Sequence, residues 1–464
     1  MPSFGALNIA YTGLNAHQQR IGVISENITN VNTPGYHRQR VELGPIDNMS
    51  TGFIVGDFRR GGGVEVLDIA RIRDETLADH ARAQGGRAGG ATETADILHQ
   101  LEEVIGGLNP GGLHDQMTDL FNSFDDLAAA PDDPAMRRVV LQRSEIVAQG
   151  FTRTAGAIDD LRTRIENEVF DSVQTINTLS AKIASADAEI LGATTIDASP
   201  NTLTDQRDLM MAELSAMAAV TIVQQDNGQV TISLDGQLLV SNGRASELAV
   251  AYSVDPTLTP LGYAHVGVVN AQGRELNVTG GKLAGQLNGL QTTVPDGRRE
   301  LDAVAADLVD QINTIHTIGV GLDGSTGNRL LELGPDSGEM RLSGDVADQP
   351  DKVATRLPGG GMLDNGNVLA LAQLADHPTG PLSGFVGSVG ALASRVTTAD
   401  GQAQAADLAK QQADTMALSA GGVSLDEELT DLITAQRSYE ASARVMTAID
   451  EMLQTLMTTG LVGR

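Results

Sequence analysis

The sequence predicts a mainly α-helical protein with an inserted antiparallel β domain. Its N- and C-terminal helices pair as a coiled coil beside an elongated helical-bundle core. Three observations carry this. Both ends hold long apolar stripes spaced by three and four residues. The interior continues that spacing over tens of residues. Between residues 220 and 279 the period falls to two, punctuated by Asx-Gly pairs.

The first helix is expected from Phe4 to Val31. Its stripe is Phe4, Leu7, Tyr11, Leu14, Ile21, Ile24, Ile28 and Val31, with Gln18 in the one gap. So narrow a stripe is a coiled-coil seam rather than a globular face. Ser3 is placed to cap its start. Asn32-Thr33-Pro34-Gly35 stops it, because proline cannot continue a helix and glycine tolerates the turn. Asp133-Pro134 reads as an N-cap followed by proline at the first helical position. Ile158, Leu161, Ile165, Val169, Val173, Ile176, Leu179, Ile183 and Ile190 then extend one stripe to about residue 191. Further helices are expected over Leu203–Met217 and Leu283–Ile315, with Pro295 breaking or kinking the latter.

Asn227-Gly228, Asp235-Gly236 and Asn242-Gly243 separate short β-branched runs, which is a strong hairpin signal. They mark a small β domain carried on a helical stalk. Residues 319–384 are rich in Gly, Asp and Pro and read as loops. Gly421-Gly422 precede the last helix, Ser424-Leu425-Asp426-Glu427 forms a capping box, and Glu428 adds charge favourable to the helix N-terminus. The final stripe is Leu425, Leu429, Leu432, Gln436, Tyr439, Ala443, Met446, Ile449, Leu453 and Leu456. Two narrow terminal stripes of matching period suggest each other as partners, with the rest of the chain inserted between them.

Composition narrows the function classes. A net charge of −29 repels nucleic acid and anionic membranes, so neither is expected as a partner. The absence of cysteine excludes disulfides, thiolate zinc and a cysteine nucleophile. Aromatic residues are 3% and tryptophan is absent, leaving Ala, Leu, Val and Ile to fill the core. The start lacks a charged segment followed by a long apolar one, so no cleaved secretory signal is expected.

No catalytic constellation emerges, and no cofactor, metal or catalytic residue is expected. Gly319-Val320-Gly321-Leu322-Asp323-Gly324 matches a dinucleotide fingerprint but follows a helix rather than a strand. Asp323 to Asn328 resembles a calcium loop, but Asn328 stands where its glycine belongs and Gly334 where its closing glutamate belongs. No two histidines share the i, i+4 spacing of a helical zinc site. Gly61-Gly62-Gly63 and Gly359-Gly360-Gly361 lack the Lys-Ser/Thr of a phosphate loop.

The segment Asn27-Ile28-Thr29-Asn30-Val31-Asn32-Thr33-Pro34-Gly35-Tyr36 resembles the N-terminal signature of the flagellar rod, hook and hook-associated family, at Asn27, Asn30, Thr33, Gly35 and Tyr36. Arg38 and Gln39, the segments 422–429 and 436–445, and Asp205-Gln206-Arg207-Asp208 resemble its hook-associated branch at the hook–filament junction. The resemblance implies a structural subunit of the extracellular bacterial flagellum that joins hook to filament. It further implies assembly with itself into a ring or helical tube, contacts with hook protein and a second junction protein, and type III export with a chaperone on the C-terminal helix. Leu7, Tyr11, Leu14, Ile21, Ile28, Leu425, Leu429, Leu432, Tyr439, Met446 and Leu453 are then the expected assembly interface. The expected domains are a terminal coiled-coil assembly domain (1–45 and 423–464) and a helical bundle (46–219, 280–318 and 385–422). A small β domain (220–279) and an irregular region (319–384) complete the chain. A hook or distal rod protein is the near alternative. A surface binding module built on the β domain, or a flagellum-borne hydrolase, is the alternative of another class.

Overall fold

The computed structural model describes residues 2–46, 62–106, 110–196, 198–225, 227–334 and 339–461. Gly61 and the side chains of Ser3, Phe4 and Leu456 lie outside what it describes. The elements in order are α1 (Pro2–Thr29), β1 (Gln39–Pro45), β2 (Val64–Arg71), α2 (Glu75–Ile105), α3 (Leu113–Ala129), α4 (Pro134–Thr195) and α5 (Asn201–Met217). Six strands follow: β3 (Thr221–Gln224), β4 (Val230–Leu234), β5 (Gln237–Ser241), β6 (Arg244–Ala245), β7 (Leu248–Ser253) and β8 (His265–Asn270). The chain ends with α6 (Lys282–Asn288), α7 (Val294–His316), β9 (Leu331–Leu333), β10 (Met340–Leu342), α8 (Gly366–Ala372), α9 (Pro381–Gly421) and α10 (Leu425–Leu461).

The spine is α4, 62 residues long and therefore about 93 Å at 1.5 Å per residue. Asp133 caps it through Ala135 N (2.7 Å), and proline occupies its first turn. Its stripe, Ile158, Leu161, Ile165, Val169, Val173, Ile176 and Ile183, is fully buried. The rest of the body is strung along it. Arg298 of α7 reaches Asp159, Gln286 of α6 bonds Ser172, Asn177 bonds the backbone of Leu248, and Arg207 of α5 pairs with Asp187. Running antiparallel to α2, α9 meets it through His99–Asp400 (2.8 Å).

The β unit comprises a four-stranded sheet in the order β3-β4-β5-β6 and a β7-β8 ribbon, both antiparallel. Asp235-Gly236 and Asn242-Gly243 both take positive φ, as type I′ hairpin turns require. The unit shares its core with the spine rather than standing free on a stalk. Sheets this small have one apolar face to cover, and Val230, Ile232, Leu234 and Val240 join the same buried cluster as Ile176 and Ile183.

Three departures from expectation have physical reasons. Residues 39–71, for which no element was expected, include a β-hairpin, β1 with β2; its strand Val64–Arg71 is largely half-buried and shows no strict alternation. Pro295 does not break its helix. A π turn over Gly289–Thr293 lets Val294 N–H donate to Gly289 O, and the proline enters at the start of α7, where an N–H is not needed. Residues 319–384 are less irregular than their composition suggests. They hold the β9–β10 hairpin and α8, and Leu330, Leu331, Val346, Val353, Val368 and Leu371 sit in the core.

That region is locked to α4 and α7 by two buried side chains, the Arg137 guanidinium and the His316 imidazole. Arg137 donates to the carbonyls of Pro131 (2.5 Å) and Val353 and to Thr355 Oγ1 (2.9 Å). His316 Nδ1 meets Asn328 O (2.8 Å), and its Nε2 accepts from Ala354 N–H (3.0 Å). The imidazole must be neutral to accept at Nε2. Burial holds its pKa below the ordinary 6.5, with the Arg137 guanidinium adding to the effect and the Asn328 carbonyl and Asp345 opposing it. The folded pKa is depressed, so the unfolded chain binds the extra proton first and stability falls as pH drops below about 6.5. We expect the urea midpoint to fall between pH 7 and pH 5, as the unfolded chain takes up the proton that the folded imidazole resists. The variant His316→Gln should lose that component. Equal pH dependence in both proteins would rule the histidine out as its source.

Candidate functional site

The terminal helices α1 and α10 pack side by side and antiparallel. Gly13 lies at the level of Ser442 and Asn27 at that of Glu428. The face that α10 turns inward consists of two heptad rows. One is Leu432, Tyr439, Met446 and Leu453, all half-buried; the other is Glu428, Ala435, Ser442 and Ile449. Ala10, Ala16, Val23, Ile24 and Asn27 are buried on α1, with Leu7, Leu14, Ile21 and Ile28 half-buried.

This corrects one of the two rows expected for the pairing seam. The row through Leu429, Gln436 and Ala443 is displaced by one residue, and Leu429 is 49% exposed, as is Leu425 at the head of the Leu432 row, at 45%. Tyr11 likewise faces outward, at 59%. The true second row is small or polar at three of its four positions, so an apolar count slides past it. Its first member, Glu428, is 1% exposed and serves as a buried partner rather than as surface charge for the helix terminus.

Glu428 is held by a polar latch built from the signature residues. Asn27 uses all its hydrogen-bonding capacity. Its Nδ2 donates to Gln39 O (2.9 Å) and Glu428 Oε2 (2.9 Å). Its Oδ1 accepts from Gln39 N (3.0 Å) and Tyr36 OH (2.9 Å). Burial, helped by Glu26, Asp205 and Glu428, pushes the Tyr36 phenol up to about 12, so it remains a donor. Arg38 reaches Glu428 through Nε (2.6 Å), Glu427 through Nη1 (2.7 Å) and Asp431 through Nη2 (3.2 Å). Arg20 of α1 takes the other oxygen of Asp431. Asn30 and Thr33 bond each other, and Gly35 takes φ +75°, so the chain turns back to present Tyr36. Gly421 completes the latch. Its carbonyl accepts from Arg38 N (3.0 Å), and a Cβ there would lie 2.7 Å from Ile72 O.

A second network ties this latch to the body. Asp205 and Asp208, one turn apart on α5, face His37, Arg71 and Arg73. Three potential metal ligands gather here, from His37, Asp205 and Asp208, within 4.8 Å of one another. The two guanidiniums already balance the two carboxylates, which makes the cluster a set of ion pairs. On the opposite side of α5, Arg207 pairs with Asp187 of α4 (2.8 Å) and donates to Gly228 O (2.6 Å), while Asp187 accepts from Val230 N (3.0 Å). The segment Asp205-Gln206-Arg207-Asp208 thus fastens latch, spine and β unit together. Sequence reading missed Arg20, Arg71, Arg73, Asp187 and the true role of Glu428, since their partners lie far along the chain. The two suspect loop motifs supply no site. Gly319–Gly324 folds as turns, and Asp323 accepts from Ser325 N and Oγ.

Asn27→Leu leaves the buried Glu428 carboxylate and the Gln39 N–H short of partners. That costs about 2 kcal/mol, or roughly thirtyfold in local opening. Amide exchange in the first turns of α10 should accelerate by that factor, while exchange in α4 stays unchanged. Unchanged exchange at α10 would show that the latch does not hold the terminal pair.

Comparison with known proteins agrees with this geometry. Residues 98–331 match the model of the flagellar hook-associated protein FlgK helical domain. Residues 7–37 match that of the flagella basal body rod protein, and 416–459 that of the flagellar basal body rod FlgEFG protein C-terminal region. The chain is 26% identical over 507 residues to flagellar hook-associated protein 1 of Bacillus subtilis, covering 100% of this chain and 99% of the relative. It is 28% identical to the protein of that name in Salmonella typhimurium, covering 71% of this chain and 59% of the relative. For the Escherichia coli protein of that name the identity is also 28%, with coverages of 75% and 65%. The enterobacterial relatives are therefore spanned for less than two thirds of their length. In fold, the chain is similar to the flagellar hook junction protein FlgK from Burkholderia pseudomallei, with a TM-score of 0.63 at 16% identity over 72% of this chain and 98% of that one.

Proposed function

The chain belongs to the family of the flagellar hook-associated protein FlgK, and on that premise we propose how its terminal helices serve the hook–filament junction. It is a structural subunit of the bacterial flagellum that joins hook to filament. The antiparallel α1–α10 pair is the assembly element. Copies of the chain associate through it into a ring or helical tube, with hook protein on one side and a second junction protein on the other.

The carrying observation is the outside of that pair. Tyr11, Leu425, Leu429, Ile433, Val445 and Met452 are 45–59% exposed on a two-helix unit that has already buried its own seam. Apolar surface of this extent is characteristic of an interaction site. Leu425, Leu429 and Tyr11 are thus interface residues between subunits. Leu7, Leu14, Ile21, Ile28, Leu432, Tyr439, Met446 and Leu453 shape the pair that presents them. The same outward apolar face suits an export chaperone before assembly, with export through the flagellar type III apparatus.

Electron microscopy of cells lacking this chain tests the reading. Hooks without filaments, with unassembled filament protein in the medium, are expected, and restoring the chain restores filaments. Filaments on the deletion cells would overturn it.

A further inference from the structure

An open groove of about 380 Å³ runs between α2, α5 and α9, beside the latch. Its walls include Ala78 and Ala81 of α2 and Ala212 and Ala216 of α5, and its rim carries Leu209 and Leu418, 44% and 65% exposed. Small side chains on facing helices leave space for larger ones from outside. Asp208 and Arg73 also line it. Both are more than nine-tenths buried as side chains, yet Asp208 Oδ1 and Arg73 Nε have no hydrogen-bond partner among the described residues. A buried carboxylate oxygen without a donor is costly, and the cost is removed when an outside group supplies one.

The occupant's chemistry is found on the same chain. Leu425, Leu429 and Ile433 stand four residues apart on α10, 45%, 49% and 51% exposed, in the spacing of a helix that lays one face into a groove. Exposed Gln436 continues that face with an amide donor, and Asp426 flanks it. Three cations, Arg73, Arg82 and Lys410, line the groove against two carboxylates, Asp208 and Asp414, in a chain of net charge −29. Stripe and groove also share one level of the molecule, because Gly421 and Gly422 line the groove and Leu425 follows three residues later. Within one chain α10 is committed to α1 through Glu428 and Leu432, and the stripe stays exposed.

We propose that the α2–α5–α9 groove of one subunit receives the Leu425–Leu429–Ile433 stripe of a second copy. The two surfaces differ, so the contact is head-to-tail and repeats from copy to copy. Because they lie at one level, a rotation with little translation brings them together, which is the geometry of a turn of a ring. This rests on the reading that the chain assembles with copies of itself at the junction.

The chain has no cysteine, so introduced thiols report the contact without interference. Ala212→Cys and Leu429→Cys would be produced together, as separate chains, in cells lacking the natural copy, and isolated flagella oxidised with diamide. Disulfide-linked dimers should form from the mixture in roughly tenfold excess over either variant alone, as a specific contact implies. Motile cells that yield no mixed dimer would overturn the groove contact and leave the junction reading standing. Ala212→Trp fills the open groove, so it should keep the wild-type thermal transition yet lose filament attachment; Ala81→Trp, on the facing wall, repeats the test. Normal filaments on cells with either folded tryptophan variant would also overturn the proposal. Filaments on cells with no copy at all would instead overturn the junction reading.

Discussion

Asp187→Ala lowers the thermal midpoint of the helical body by roughly 10 °C, the largest stability loss expected of a single polar substitution here. Asp187 is 0% exposed and Arg207 1%. Removing the carboxylate leaves the guanidinium buried with Gly228 O as its one hydrogen-bond partner among the described residues, and it takes from Val230 N–H the Asp187 acceptor. Breaking a buried pair from one side costs about 3–5 kcal/mol, because the remaining charge is uncompensated. The pair need not stabilise the fold in net terms, and this gives the control. Asp187→Leu with Arg207→Met should recover most of the lost midpoint, since an apolar pair of similar volume carries no desolvation penalty. Calorimetry of the three proteins decides it. A single variant that melts with the wild type would show that α5 and the β unit are held by apolar packing alone.

Leu432→Asp has the largest expected effect on function, with almost none on the body. Leu432 stands in the α1–α10 seam, one turn after the latched Glu428. A carboxylate there enters a half-buried apolar row of the seam beside the acidic Glu428 and Asp431, which costs several kcal/mol once assembly closes the row or forces the helices apart. Within the subunit, α10 packs along α1, so the body keeps its spine, its β unit and its melting transition. Cells carrying the variant should make hooks and fail to attach filaments. Motile cells would show that the seam is not used in assembly. Loss of the main thermal transition would show that α10 belongs to the body's core.

The sequence was legible where one period persists. The stripe of α4 from Ile158 to Ile190 is buried as read, and the Asx-Gly pairs mark real turns of the β unit. It was less legible where core positions are not apolar. Half of the α10 seam is Glu428, Ala435, Ser442 and Ile449, and only one of those four is a large apolar residue. Counting hydrophobes therefore moved that row by one position, onto Leu429. The hairpin of residues 39–71 was missed because β2, largely half-buried, lacks the alternation that betrays a strand with one face buried.

By itself the sequence determined the class of protein, the two terminal helices and the signature that places the chain in its family. These are local features: period, turn chemistry and a short motif, each readable within a few tens of residues. Only the tertiary structure decided what the signature does. Asn27, Tyr36, Arg38 and Gln39 look like helix-end and turn residues until Glu428, 401 positions from Asn27, arrives between them. The same holds for Arg207 and Asp187, and for Asp205 and Asp208 with Arg71 and Arg73. A buried charge has no periodicity of its own, and its position is set by the partner that offsets its desolvation. That partner is chosen by how the chain folds back on itself, which the order of residues along the chain does not reveal.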